Sequence, residues 1–534
     1  MGSIGEHQRL NVKSICIIGA GPSGLVAAKY FLAEHAFSHI TIYEQRPRLG
    51  GLWNYSASPD EDGKRFSVPQ TEDDATLENA SILTGTNGEL NSEKTKAKAA
   101  FMSPVYDRLE TNIPRELMGF SDLDWPEDCQ LFPEHERVLD YIEEHAEDVK
   151  HLVQFETKVL DVSRTADEKW LVKTKKLESA TVEERTFDAV LVANGHFNVP
   201  YVPNIKGMRE WNAQHPGSIV HSMYYRKPED YTGRKVVVVG NSASGVEIAA
   251  QIVTTCQKPL LQSQKSISQF TSGSTADITQ KPEIIEYIPD NQTLRFADGT
   301  VEKDVDAVVY CTGYFYSYPF LHSLEPPIAT TGEHVENTFQ HIFYRPHPTL
   351  AFAVLNQKVI PFPIAEAQAA VVARVWSGRL DLPGEAEMLE WERKTLKETG
   401  GGRNFHLLKF PKDADYVNML HDWAMSSRGE SCASIKSLHE LHRRRMSRES
   451  RDSATTEKIS ASHACKLNEE QRTTGKEPPY WGEKEYWMRE RFPAIKKAFN
   501  DFGEDRHGKR TLEDVGFCFE EWKGERVEEG RRLL

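Results

Sequence analysis

Twice in this chain an apolar run of strand length stops at a glycine-rich turn and gives way to a helix-forming stretch. Ser14-Ile15-Cys16-Ile17-Ile18 runs into Gly19-Ala20-Gly21-Pro22-Ser23-Gly24, and Lys235-Val236-Val237-Val238-Val239 runs into Gly240-Asn241-Ser242-Ala243-Ser244-Gly245. A strand reverses into a helix this quickly only where backbone can lie against backbone, and glycine permits that. Such a turn also aims the first amides of the helix at an anion, so each predicts a site for one adenine dinucleotide. Two sites in one chain point to electron transfer between two bound cofactors.

In the first turn, Gly19 permits the reversal, Gly21 lets backbone approach a pyrophosphate, and Gly24 lets helix and strand pack closely. The helix carries Leu25, Ala28 and Leu32 on one face. The next strand, residues 40–44, ends at Glu44, whose carboxylate can accept from both hydroxyls of a ribose. In the second turn Ser242 replaces the middle glycine. Roughly twenty positions on stand Gln262-Ser263-Gln264-Lys265, with no carboxylate to repel a 2′-phosphate and Lys265 near to attract one. That pattern favours NADP over NAD. The bland readings are a plain strand–helix turn at the first site and a scaffold domain at the second. Residues 188–195 (DAVLVANG) resemble residues 306–313 (DAVVYCTG), a weak internal repeat in which each unit closes on a similar strand. The expected class is α/β, with two Rossmann-like dinucleotide-binding domains.

A length of 534 residues allows roughly two to four such domains. The net charge of −15 disfavours nucleic acid and anionic membrane as partners. No run reaches the ~18 apolar residues of a membrane span, and the longest, at 369–376, contains Arg374. The first residues lack a signal-peptide pattern, and Glu6 stands where a myristoylation site wants Ser or Thr. The seven scattered cysteines (16, 129, 256, 311, 432, 465 and 518) fit free thiols in a reducing, cytoplasmic setting and supply no C-x-x-C redox pair. Residues 56–100 and 426–479 are polar with little periodicity and are read as a surface excursion and a linker. The basic run at 443–445 is read as part of that linker. A helix is expected over 364–376, and a charged helical segment from Tyr480 whose aromatics Trp481, Tyr486 and Trp487 pack it onto the body.

Between the two turns lies Pro216-Gly217-Ser218-Ile219-Val220-His221-Ser222-Met223-Tyr224-Tyr225. The spacing G-x-x-x-H-x-x-x-Y resembles the identifying motif of flavin-containing monooxygenases, with His215 where that motif begins with Phe. Further segments resemble the soluble fungal branch of the family: Gly50-Gly51-Leu52-Trp53-Asn54-Tyr55, Leu109-Glu110-Thr111-Asn112-Ile113-Pro114, Glu116-Leu117-Met118-Gly119-Phe120, Cys311-Thr312-Gly313-Tyr314 and Tyr480-Trp481-Gly482-Glu483-Lys484 among them. The match is poor over the two polar stretches.

The resemblance implies a discontinuous FAD domain (1–212 and 327–425), an inserted NADP domain (213–326), the polar linker 426–479 and a C-terminal helical segment, 480–534. It implies FAD held by the first turn with Gly51, Leu52 and Trp53, and NADPH held by the second turn with Thr111. NADPH would reduce the flavin, reduced flavin would take O₂, and the resulting C4a-hydroperoxide would pass oxygen to a nucleophilic nitrogen or sulfur of a small molecule. Asn112 is the expected catalytic residue, its amide near flavin and retained nicotinamide. Gly217, His221, Tyr225, Thr312 and Gly313 are expected to be motif and linker residues, with His221 structural. No metal is required. Asn356-Gln357-Lys358 places polar residues near the expected substrate entrance, and an oligomer is compatible with all of this. Two alternatives stay open: a Baeyer–Villiger type monooxygenase, whose related fingerprint ends in Trp rather than at a residue like Tyr225, and a non-catalytic nucleotide-binding scaffold.

Overall fold

Each glycine turn heads its own parallel sheet. The computed structural model describes residues 9–56, 66–73, 81–83, 98–179, 181–265, 276–426 and 475–532. In the first, seven-stranded sheet the order is Thr338–Phe339, Phe343–Tyr344, Leu350–Phe352, Ala189–Val192, Ser14–Ile18, His39–Tyr43, Val153–Gln154. From Leu350–Phe352 to Val153–Gln154 every pairing is parallel. Ser14–Ile18 lies inside the sheet, so both of its faces are covered and Ile15, Cys16 and Ile17 are fully buried. That is why it reads as a continuous apolar run rather than an alternation. The second sheet has five parallel strands in the order Ile219–His221, Ala307–Tyr310, Val236–Val239, Leu260–Ser263, Ile278–Lys281. The chain passes from one unit to the other and back through two antiparallel strands, Val199–Pro200 and Tyr314–Phe315.

The helix Pro22–Ala33 packs between its sheet and the helix Pro361–Trp376, with Phe31 stacked on Trp376 at 5.4 Å between ring centroids. Leu25 and Ala28 are buried, but Leu32, expected on the same face, is 37% exposed, and Tyr30 and Phe31 are buried instead. A helix covered on two sides buries neighbouring residues of consecutive turns, so a single stripe does not describe it. The helix expected from 364 begins at Pro361. Prolines 361 and 363 fall in its first turn, where a missing N–H costs nothing. Arg374, which breaks the apolar run in sequence, is buried; its guanidinium donates to the carbonyls of Ala370 (3.3 Å) and Lys476 (3.2 Å).

Of the polar stretch 56–100, only residues 56, 66–73, 81–83 and 98–100 are described, and Ser81–Leu83 pairs antiparallel with Lys98–Ala100. Of 426–479, only 426 and 475–479 are described, so the basic run at 443–445 lies outside the described residues, as do Cys432, Cys465 and residues 1–8. Cys16, Cys129, Cys256, Cys311 and Cys518 are free thiols. Among the described residues, no helix is long and apolar enough to cross a membrane.

The C-terminal segment is part of the main core. Trp481, Trp487, Met488, Ile495 and Phe499 are buried in the same cluster as the first sheet, and Tyr486 packs against it. The Asn418 side chain grips the Trp481 backbone twice, donating to its carbonyl at 2.8 Å and accepting from its N–H at 2.7 Å. On the helix Glu483–Asp501, buried Arg489 pairs with buried Asp413 at 2.6 Å. Removing one partner of such a pair strands the other charge away from water. Arg489→Ala should therefore destabilise the fold by about 3–5 kcal/mol in denaturant unfolding, and joint replacement of Arg489 and Asp413 by apolar residues should recover most of the loss.

Candidate cofactor and active site

The two turns are built alike. Gly19 has φ +104° and Gly240 φ +114°, and a Cβ on either would meet a strand-end carbonyl, that of Ala193 at 2.6 Å or of Cys311 at 2.7 Å. Ala193 and Cys311 each stand one residue past the strands Ala189–Val192 and Ala307–Tyr310, which resemble each other in sequence. Gly24 and Gly245 complete the fit: a Cβ there would lie 2.1 Å from the Gly19 carbonyl oxygen and 2.3 Å from that of Gly240. Both helices open with no side-chain cap and no acidic residue in the first turn, so their leading amides have no side-chain acceptor. This is an anion cradle of the kind a dinucleotide pyrophosphate fills. Ser242 and Ser244 are exposed at the second turn.

Around the first turn, Glu44 is buried directly after the strand His39–Tyr43, and its carboxylate accepts from the N–H of Ala20 at 2.7 Å and of Arg46 at 2.8 Å. Burial raises its carboxyl above the ordinary carboxylate value while these backbone donors pull it back. Each oxygen keeps a lone pair for a further hydroxyl. The short turn Gly51–Trp53 stacks on the fingerprint: a Cβ on Gly51 would lie 2.9 Å from the Gly21 Cα, and the Gly50 N–H donates to the Ala20 carbonyl at 3.0 Å. The Leu52 carbonyl accepts from the Ser103 hydroxyl. Gly21, Gly51, Leu52 and Trp53 thus come together, although the chain between them and residue 103 is long and polar.

At the second turn, Asn241 donates to Gln264 at 2.7 Å, and Lys265 lies just beyond the strand Leu260–Ser263. The Lys265 side chain is 81% exposed and meets Glu283 at 3.1 Å, so a carboxylate does stand near this strand end, brought there from a later segment.

Thr111 and Asn112 lie between the two units. The Thr111 N–H donates to the Pro133 carbonyl and its hydroxyl to the Ile113 carbonyl, both at 2.9 Å. Asn112 donates from Nδ2 to Glu247 Oε2 at 3.4 Å, and Glu247 sits in the helix Ala243–Ile252 that the second fingerprint opens. On the other side, the Leu109 carbonyl accepts from the N–H of His135, whose ring lies 5.1 Å from that of Tyr55 in the glycine–tryptophan segment.

The G-x-x-x-H-x-x-x-Y residues surround the linker. Gly217, at φ +79°, turns the chain into the strand Ile219–His221. The fully buried His221 donates from Nε2 to the Gly313 carbonyl at 3.0 Å and accepts at Nδ1 from the Met223 N–H at 3.1 Å. Burial pushes its pKa down to about 3, so the ring is neutral with both nitrogens engaged. Gly313 in turn accepts from the Tyr201 N–H at 2.9 Å, and the Thr312 hydroxyl donates to the Tyr201 carbonyl. Tyr225 is buried and donates to Gln251 at 2.9 Å on the second-turn helix. Asn356, expected near an entrance, is buried and accepts from Gln368 at 2.8 Å, while Gln357 donates to the Tyr316 hydroxyl at 3.0 Å.

Sequence reasoning missed two residues here. Arg226, directly after the motif, is buried and fastens the carbonyls of Ser103, Met223 and Tyr225 (3.1, 3.0 and 2.7 Å), tying the start of the Asn112 region to the motif. A lone arginine beside a tyrosine gives no signal of that. Glu247 stands two residues past Gly245 and could have been flagged from its place on the fingerprint helix.

The description "Flavin-binding monooxygenase-like" matches residues 88–277 and 274–430, and "NAD(P)-binding Rossmann-like domain" matches residues 17–69. The chain is 32% identical over 444 residues to "Flavin-containing monooxygenase FMO GS-OX-like 9" of Arabidopsis thaliana, covering 78% of this chain and 89% of that one. It is 28% identical to "Flavin-containing monooxygenase iboF" of Amanita muscaria, over 77% of this chain and 88% of that protein. Among solved structures it resembles the S-allyl-L-cysteine S-oxygenase of Allium sativum, with a TM-score of 0.64, 28% identity, and coverage of 83% and 95%. The doubled cradle and these similarities agree on FAD and a nicotinamide dinucleotide as cofactors, and on O₂ and a small molecule as reactants. The chain belongs to the flavin-containing monooxygenase family and is an FAD-dependent monooxygenase.

Proposed function

We propose that the protein uses NADPH and O₂ to place one oxygen atom on a nucleophilic sulfur or nitrogen of a small molecule, with sulfur favoured. The observation that carries this is the contact of Asn112 with Glu247 on the helix opened by the second glycine turn, on a segment that Leu109 and His135 link to Tyr55 of the flavin-type segment. Similarity to a protein named as an S-oxygenase supports sulfur, and Tyr225, where a Baeyer–Villiger fingerprint has Trp, counts against ketone oxygenation.

Bound FAD, once reduced by NADPH, supplies the activated oxygen. The protein's part is to hold, orient and exclude water. Gly19, Gly21, Pro22, Ser23 and Gly24 offer backbone to the FAD pyrophosphate, and Glu44 accepts from the ribose with its remaining lone pairs. Gly51, Leu52 and Trp53 close over that turn. Gly240, Ser242, Ala243, Ser244 and Gly245 hold the NADP phosphates, and Lys265 reaches a 2′-phosphate by leaving Glu283. Thr111 has its proton committed to Ile113, so it serves NADP as an acceptor. The Asn112 amide, held by Glu247, would offer hydrogen bonds to bound flavin and nicotinamide and so favour oxygen transfer to substrate over release of hydrogen peroxide. His221, Thr312, Gly313, Gly217 and Tyr225 set the angle of one nucleotide unit on the other.

The purified protein should be yellow, and NADPH in air should bleach it and consume oxygen; a colourless protein unable to take up FAD favours the scaffold alternative. Gly24→Ala, which puts a methyl 2.1 Å from the Gly19 carbonyl oxygen, should lose the flavin absorbance. Asn112→Ala should keep FAD yet release about tenfold more hydrogen peroxide per NADPH, on the scale of one lost hydrogen bond. His221 has a folded pKa below its ordinary 6.5, so it stabilises the fold above about 6.5 and less as pH falls towards about 3. The His221→Gln variant should be less stable to denaturant at neutrality, and its stability should depend less on pH across that window.

A further inference from the structure

We propose that Glu247 is a positioning residue that orients the Asn112 amide, and that Lys496 of the C-terminal helix holds Glu247 for that task. The idea rests on the reading of Asn112 above, and it makes the C-terminal segment part of the active-site architecture. That segment lies beyond residue 430, where the family match ends.

Glu247 gathers donors from several elements. Its Oε2 accepts from Asn112 Nδ2 and its Oε1 from the Glu110 N–H, both at 3.4 Å, and the Tyr106 hydroxyl also hydrogen-bonds to it. These contacts sit at the long end of the range, as catalytic hydrogen bonds do before substrates tighten them. Lys496 arrives from the helix Glu483–Asp501 with its Nζ 3.2 Å from Glu110 Oε2, and its charge acts on both carboxylates. The Phe132 and Phe499 rings floor the ammonium at 4.5 and 5.1 Å. Arg506 pairs with the other Glu110 oxygen at 3.1 Å. The ionisable groups facing Glu247 are therefore Glu110, Lys496, Tyr106 and Tyr225, with Arg506 and, at 3.9 Å, His507 behind Glu110.

The Glu110 and Glu247 charges disfavour each other, and the Lys496 ammonium favours both. An ionised Glu247 only accepts, so the Asn112 NH₂ must face it and Oδ1 is the group left for a bound nicotinamide. A protonated Glu247 can donate to Oδ1, and the amide is then free to turn over. Burial pushes the Glu247 pKa up to about 7; the Lys496 charge, the Tyr106 bond and the Glu110 N–H pull it down, and the Glu110 charge pushes it up. Asn112 should thus be held above neutrality and released below it.

The test uses wild type, Glu247→Gln, Lys496→Met, Lys496→Arg and Asn112→Ala holoenzymes between about pH 6 and about pH 8.5, which brackets a carboxyl raised to neutrality. Two quantities are read: the NADP⁺ dissociation constant, from the perturbed spectrum of the bound flavin, and hydrogen peroxide released per NADPH in air without substrate. In wild type both should worsen at least about threefold as pH falls through the titration, a loss of under one hydrogen bond. Glu247→Gln should remove that pH-dependent limb, Lys496→Met should move its midpoint up by about one pH unit, and Lys496→Arg should restore it. A wild-type limb persisting in Glu247→Gln, or an unmoved midpoint in Lys496→Met, overturns the proposal. If Lys496→Met does not fold, Glu247→Gln decides alone. Wild-type peroxide release from Asn112→Ala would remove the reading of Asn112 and this proposal with it. A leaky Asn112→Ala beside Glu247 and Lys496 variants that match wild type defeats only the proposal.

Discussion

The structure depends on backbone lying directly against backbone at two places. Gly19 presses on the Ala193 carbonyl and Gly240 on that of Cys311, so closely that a β-carbon would fall 2.6 or 2.7 Å from the oxygen. In each unit this contact fixes where the helix starts relative to the end of the closing strand, and hence where its leading amides stand. The small side chains of Ala193 and Cys311 belong to the same fit: the Cβ of each would lie 3.3 or 3.5 Å from a methyl on Gly24 or Gly245. The likeness of residues 188–195 to 306–313 therefore has a steric cause, since both strands end beneath a glycine turn.

Two cradles make a monooxygenase only if they face a common space at a fixed angle. The linker joins the two units through buried polar groups bonded to backbone. His221 bonds to Gly313 and Met223, Thr312 and Gly313 bond to Tyr201, and Arg226 gathers the carbonyls of Ser103, Met223 and Tyr225. A neutral histidine suits the position because burial disfavours its charge and two backbone partners use both nitrogens. The family motif thus marks a joint between the nucleotide units, with Tyr225 extending it to the second-turn helix through Gln251.

Charge is buried elsewhere too. Arg489–Asp413 fastens the C-terminal helix to the helix Lys412–Met425, and Lys476 meets Glu366 at 3.0 Å on the long helix under the first sheet. Such pairs add little stability relative to apolar packing, but they penalise any arrangement that leaves a partner alone. The C-terminal helix is thereby held in one register, with Lys496 beside Glu110.

The strands, the turns and the α/β class were legible from residue order because each follows from neighbouring residues: apolar runs too uniform for a half-exposed strand, then glycines where side chains cannot fit. Glu44 was legible for the same reason, standing one residue past its strand. The C-terminal aromatics announced that their segment packs inward, though not against what. Tertiary structure alone decided the rest. Leu32 faces outward because a second helix covers its neighbours, Glu283 reaches Lys265 from a later segment, and Asn356 turns inward to Gln368. Glu110, Asn112, Glu247 and Lys496 meet from separate stretches of chain. No local pattern marks such a cluster, because what brings charges together over that separation is the burial of the apolar faces that carry them.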